Sequence, residues 1–133
     1  MKREILIIAL LLNTGTALAS TTVEKLLQDY RSLGAGPFNK QAGEQQWQSV
    51  HVPKEGEAGR SCSDCHGNNL KQPGKHLRTG KRIEPMAPAV NPLRLTDRKQ
   101  IEKWFKRNCR WTFGRDCTPQ EKGDLMLFIQ GQN

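Results

Sequence analysis

The sequence predicts an all-α fold, and three observations predict it. Apolar residues recur at three- and four-residue spacing in separate segments, the period of a helix with one buried face. Helix-starting residues stand ahead of three of those segments. No stretch alternates apolar and polar residues convincingly enough to be a strand.

Along the chain, Lys2 and Arg3 precede the unbroken apolar run Ile5 to Leu12, and Ala17-Leu18-Ala19 offers a small-x-small cleavage site before Ser20. Residues 1–19 read as an export signal, removed in the mature protein; a retained anchor is the alternative. The run is shorter than the roughly 20 residues a membrane-spanning helix needs. What remains is 114 residues, the size of one domain. Residues 20–37 form an N-terminal helix and turn ahead of a domain over 38–133. Thr21-Thr22-Val23-Glu24 resembles a capping box, with Leu26, Leu27, Tyr30 and Leu33 on the apolar face and Gly34-Ala35-Gly36-Pro37 as the stop. A second helix is expected from about Lys40 to Val50, with Gly43 and Trp47 on one face. His51 to Ser61 is a polar loop containing Pro53, Gly56 and Gly59. Beyond His66, Pro73, Pro85, Pro88 and Pro92 exclude long helices and central strands, leaving irregular chain suited to wrapping a flat group. A third helix starts near Thr96-Asp97, with Asp97 and Gln100 in capping-box relation and Ile101, Trp104 and Phe105 inward, and runs to about Asn108. Thr118-Pro119-Gln120-Glu121 opens the last helix, whose inner face is Leu125, Phe128 and Ile129.

Cys62-Ser63-Asp64-Cys65-His66 carries the chemistry. It is a C-x-x-C-H run, the attachment pattern of a c-type haem. Two thiols separated by two residues reach one edge of the macrocycle and add to its vinyl groups as thioethers. The adjacent imidazole then becomes the fifth iron ligand. A zinc ribbon needs a second pair at ligand spacing, and Cys109 and Cys117, with seven residues between them, fit that poorly. A haem-free thiol oxidoreductase using Cys62 and Cys65 is the reading from a different class. Haem c is attached on the oxidising side of the membrane, which agrees with the export signal and places the protein in the periplasm. With 35% hydrophobic residues the chain is short of apolar material, and one covalent haem would supply much of the core.

Cys109 and Cys117, left over in an oxidising compartment, suggest a disulfide closing a loop from Arg110 to Asp116. The formal charge is +8, and without Lys2, Arg3 and Glu4 it is +7, from 19 basic and 12 acidic residues. Such a surface suits an acidic protein or an anionic membrane surface, though excess lysine also simply aids solubility. Nucleic acid is not a partner in that compartment, and no segment spans a membrane.

The sixth iron ligand separates the functions. Methionine is usual in small electron carriers. Met86, 20 residues after His66, is the obvious candidate, although packing is its ordinary role; Met126 reads as core. His51 and His76 read as surface groups or propionate partners. Asn108 is 42 residues after His66, far enough for the chain to reach the other haem face, and it directly precedes Cys109; as a helix-terminal residue its ordinary role is a cap.

The succession of C-x-x-C-H-G, Lys81-Arg82-Ile83-Glu84-Pro85-Met86-Ala87-Pro88, Glu102-Lys103-Trp104-Phe105-Lys106-Arg107-Asn108-Cys109 and Gly114-Arg115-Asp116-Cys117-Thr118-Pro119 resembles the sphaeroides haem protein (SHP) family, from about Phe38 to the end. These are oxygen-binding monohaem cytochromes c with an asparagine axial ligand. The resemblance implies a small class I-like cytochrome c fold, all-α and wrapped around one covalent haem. It implies His66 and Asn108 as iron ligands and a Cys109–Cys117 bridge. It implies a donor cytochrome, commonly a dihaem cytochrome c or a membrane cytochrome b, and leaves room for weak turnover of oxygen or nitric oxide. A side-chain amide binds through a hard oxygen, which suits Fe(III) better than Fe(II). Reduction should therefore free Asn108 and open the site to O2, NO or CO. The alternative is an ordinary shuttle with His66 and Met86 as permanent ligands. Trp104 and Phe105 are expected in the core, Trp111 and Phe113 in the bridged loop where they would wall the site. Arg60, His76, Arg82 and Arg110 are candidates to neutralise the propionates, with solvation their ordinary role.

Overall fold

Asn39 and Thr118 each cap a helix, and those two helices form the centre of the molecule. The computed structural model describes residues 14–132; most of the export signal read over residues 1–19 lies outside the described residues. The order is α1 Thr14–Ser32, α2 Lys40–Gln48, α3 Ser63–His66, β1 Gly74–Lys75, β2 Arg82–Ile83, α4 Arg98–Phe113 and α5 Pro119–Gln130. The Asn39 side chain accepts from the amides of Gln41 and Ala42 at 2.8 and 3.1 Å, and Thr118 and Glu121 close a full capping box on α5. Asp124, buried in α5, accepts from the Asn39 amide at 2.7 Å, so α2 begins where α5 fixes it.

α2 and α5 cross closely because Gly43 has no side chain. A β-carbon there would overlap the backbone carbonyl of Asp124 and meet the Phe128 side chain at 2.9 Å. Trp47, one turn on, packs its ring 5.7 Å from Phe128. Gly43→Ala is expected to lower the unfolding free energy by about 1–3 kcal/mol, since neither helix backbone can yield without disturbing Asp124. Denaturant titration of the haem-loaded protein measures it, and an unchanged midpoint would rule out this close crossing.

α1 packs on α5 through Val23, Leu26, Leu27 and Tyr30, all buried. The Tyr30 hydroxyl donates to Glu102 at 2.5 Å, and Lys122 donates to the other Glu102 oxygen at 2.6 Å. That network ties α1, α4 and α5 together. Burial first, then Glu102, raises the Tyr30 pKa, so the hydroxyl remains a donor.

Several expectations need correction. Among the described residues α1 extends upstream of Thr21 to Thr14, through Ala17, Leu18 and Ala19, which are good helix formers. Leu33 is 70% exposed: the helix stops at Ser32, so the periodicity no longer holds for it. α4 runs to Phe113, where Gly114 takes a left-handed φ of 73° and ends it. Asn108 is therefore inside a helix, not at its end. Trp104 is 43% exposed, with Lys103 and Arg107 over its ring. The short ladder, with Gly74 opposite Ile83 and Lys75 opposite Arg82, was not expected. Two-residue strands are too short for alternation to register, and the fold class stays all-α.

Candidate functional site

Cys62, Cys65 and His66 stand three and four residues apart on one helical turn, which brings all three side chains to one face. The turn is held from both ends. Asp64 accepts from the Ser61 amide at 2.7 Å, and the Ser61 hydroxyl accepts from the Asp64 amide at 3.2 Å. The amide of His66 donates to the Cys62 carbonyl at 3.1 Å. Gly67 leaves the turn at φ 72°, and its carbonyl accepts from the Trp47 indole at 2.9 Å, anchoring the turn to α2. Gly74 presses on the Cys65 carbonyl and the His66 backbone so closely that a β-carbon would overlap them, which seats β1 beneath the turn.

The chemistry of these three groups fits a haem c. Both thiols are free, whereas the other two cysteines are bridged. Burial pushes the Cys62 thiol up to about 11, opposed by a hydrogen bond with Thr112. Reactive redox cysteines are tuned the other way, which speaks against thiol–disulfide exchange. Burial also lowers His66 to about 4, and the charges of Arg94 and His76 push in the same direction. The imidazole is thus neutral at pH 7, and its buried Nδ1 has no hydrogen-bond partner among the described residues. A buried, neutral, unpartnered imidazole is what an iron ligand needs to be.

α4 supplies the facing wall. Thr112 reaches Cys62, and Asn108 lies one turn earlier on the same face, with Phe105 a further turn back. Asn108 is half-buried and its side chain makes no hydrogen bond among the described residues. Cys109 is joined to Cys117, with the Cα atoms 5.5 Å apart and both residues buried. The bridge spans the Gly114 turn and ties the body of α4, rather than its end, to the start of α5.

Met86 belongs to a different neighbourhood. Its amide and that of Ala87 donate to the Leu70 carbonyl at 3.0 and 2.9 Å. Arg94, whose charge reaches His66, holds the same segment by donating to the carbonyls of Pro85 and Glu84 at 2.9 and 2.8 Å. Met86 thus sits in chain tied to the residues just after His66. Met126 is fully buried, as read. His51 bridges Arg60 through the backbone and packs edge-on to Phe113 at 4.4 Å, with its Nε2 buried and unpartnered. Trp111 and Phe113 belong to the last turn of α4, not to a loop. Arg82 and Arg110 are exposed and paired with Glu84 and Asp116, whereas Arg60 and His76 converge on Trp111. Sequence reading missed Thr112, Arg94 and Arg78. Thr112 alone had a signal, four residues beyond Asn108 and so on its face.

Comparison with known proteins decides the family. Cytochrome c-type protein SHP of Cereibacter sphaeroides is 37% identical over 133 residues, covering 99% of this chain and 100% of that protein. The chain belongs to the SHP family of c-type cytochromes. Residues 34–129 also match, and belong to, the family described as Domain of unknown function (DUF1924). A structure of oxidised SHP, described as an oxygen binding cytochrome c, superposes with a TM-score of 0.75 at 36% identity, over 83% of this chain and 96% of that one. A solution structure of Methylophilus methylotrophus cytochrome c'', described as giving insight into the structural basis of haem-ligand detachment, superposes at 0.69 with 31% identity, over 82% and 92%. The cofactor of this SHP-family chain is haem c, one per chain and covalently attached. Among the described residues no helix is long and apolar enough to cross a membrane.

Proposed function

We propose that this chain is an exported, periplasmic electron acceptor that releases Asn108 on reduction and then binds a diatomic gas. Residues 1–19 are the part removed on export, and residues 38–133 the haem-carrying domain. Cys62 and Cys65 hold the haem and His66 is the proximal ligand. Haem iron held there would supply one-electron redox chemistry and a coordination position for O2, NO or CO.

The observation that carries the reading is the state of Asn108. Its amide spends no hydrogen bond within the protein, yet it lies on the face of α4 that meets Cys62 through Thr112. The neutral carbonyl oxygen is a weak, hard donor and suits ferric iron. Reduction by a donor cytochrome would remove that preference and free the Asn108 amide. Its N–H then becomes available to donate to the incoming ligand. The Cys109–Cys117 bridge limits how far the backbone beside Asn108 can follow. Met86 suits this role less, because Leu70 and Arg94 tie its segment to the chain just after His66, whereas Asn108 stands on the separate wall that α4 supplies. The SHP relative is described as oxygen binding, and the cytochrome c'' relative in terms of haem-ligand detachment; both agree with this reading.

Visible and near-infrared spectra of the purified protein test it: oxidised, reduced, and reduced under CO. The expected result is a large CO-induced shift in the reduced form and no methionine-to-iron band in the oxidised form. A reduced spectrum indifferent to CO would leave an ordinary electron carrier.

A further inference from the structure

α4 carries most of the molecule's net charge. Its 16 residues hold Arg98, Lys99, Lys103, Lys106, Arg107 and Arg110 against Glu102 alone, +5 of the chain's formal +8, which leaves +3 for the other 117 residues. Three of these groups are spent inside the molecule: Arg98 on Asp29, Arg110 on Asp116, and Glu102 on Lys122 and Tyr30. Lys99, Lys103, Lys106 and Arg107 are exposed and have no carboxylate within salt-bridge distance among the described residues. At helical spacing they lie on the side of α4 away from Ile101, Phe105 and Thr112, in a strip about 12 Å long. Trp104 edges that strip, 43% exposed, with the Lys103 ammonium 5.6 Å and the Arg107 guanidinium carbon 5.1 Å from its ring centroid. An indole at the surface among unpaired cations suits a lipid–water boundary: the ring sits at headgroup level and the cations meet phosphate. Composition decides between a lipid and an acidic protein. The core of a protein–protein interface is poor in lysine. Here three of the four free cations are lysine.

We propose that the outer face of α4, Lys99, Lys103, Lys106 and Arg107 with Trp104, seats the protein on an anionic phospholipid surface. Such docking is peripheral, held by charge and one aromatic side chain, and reversed by salt. Trp104 lies one turn before Asn108, so the edge of the Asn108 face turns toward the lipid. The inference goes beyond the redox reading and is independent of whether Asn108 lets go.

Flotation of the haem-loaded protein with vesicles tests it, phosphatidylcholine alone against an equal mixture with phosphatidylglycerol, at roughly 0.1 M salt. The mixture should bind the protein and phosphatidylcholine alone should not. Binding should fade toward about 1 M salt, where screening reaches in to roughly 3 Å. Lys103→Gln combined with Lys106→Gln should weaken binding about 25-fold, fivefold for each cation, which corresponds to about 1 kcal/mol apiece. Lys54→Gln combined with Lys71→Gln removes the same charge from exposed positions outside α4 and should cost about twofold at most. Trp104→Ala leaves the charge unchanged and should still weaken binding several-fold, with a haem spectrum identical to the parent's as the check on folding. Equal binding to both kinds of vesicle, or equal losses in the two double variants, would overturn the proposal. Retention on immobilised polyglutamate through Lys103 and Lys106, with the anionic vesicles ignored, would overturn it too and give the face to an acidic protein.

Discussion

Asn108→Ala is expected to turn the oxidised protein from a closed, six-coordinate spectrum to an open, high-spin one, with little effect on folding. The substitution removes the only proposed donor on that face. Alanine is the best helix former, and Asn108 lies within α4, so backbone propensity improves by about 0.5 kcal/mol or more. No internal hydrogen bond is lost, because the amide makes none among the described residues. The bridge at Cys109 still fixes α4 against α5. The consequence concentrates on ligand access. An internal ligand that occupies the site in all but about one molecule in a hundred reduces the apparent affinity for an external one about 100-fold. Removing it returns that factor, so imidazole or cyanide should bind the oxidised Asn108→Ala protein far more tightly than the parent. The reduced protein, open on the proposed reading, should bind CO with nearly unchanged affinity. Spectral titration measures both. An oxidised spectrum identical to the parent would eliminate Asn108, and a methionine-to-iron band would then turn attention to Met86.

The contrast between Asn108 and α5 shows what the sequence could reveal. The start of α5 was legible because Thr118, Pro119 and Glu121 each satisfy a local rule, and the rules agree. The turn carrying Cys62, Cys65 and His66 was legible for the same reason: three side chains at fixed spacing need no distant information. Asn108 obeys no local rule. An asparagine in a basic helix has the composition of a surface residue; its spacing from His66 and its place before Cys109 raised it, and the resemblance of the surrounding segment to a known family singled it out. Its place inside the helix was missed because nothing between Cys109 and Phe113 announces that the chain stays helical until Gly114. Trp104 misled in the opposite direction. It has the right period for the buried face, but lies at the edge of the stripe, where Lys103 and Arg107 cover it instead of the core. Around Trp111 the sequence offered Arg60 and His76 as separate candidates, but not that residues 60, 76, 78 and 111 from separate segments converge on one ring. Such convergence is a property of the folded chain, not of spacing.

Changing both Cys62 and Cys65 to serine should abolish covalent haem altogether, an effect larger than any single change elsewhere. Thioether formation adds each S–H across a vinyl group, with carbon–sulfur and carbon–hydrogen bonds made in the same step. A hydroxyl of similar size is too poor a nucleophile to follow. The turn itself should survive, because its hydrogen bonds come from Ser61, Asp64, His66 and Trp47 rather than from the thiols. A serine at position 62 would also retain a partner in Thr112. Loss of haem therefore reports chemistry and not misfolding. The single variants should each keep one thioether and give a haemochrome band displaced from that of the parent, since one vinyl stays unsaturated. Changing Cys109 and Cys117 to serine is the informative control. It should leave the haem attached while costing roughly 2–3 kcal/mol of stability from the lost loop closure. Haem staining after denaturing electrophoresis, with a haemochrome spectrum, separates the cases. Covalent haem persisting in the double Cys62/Cys65 variant would detach the whole functional reading from this turn.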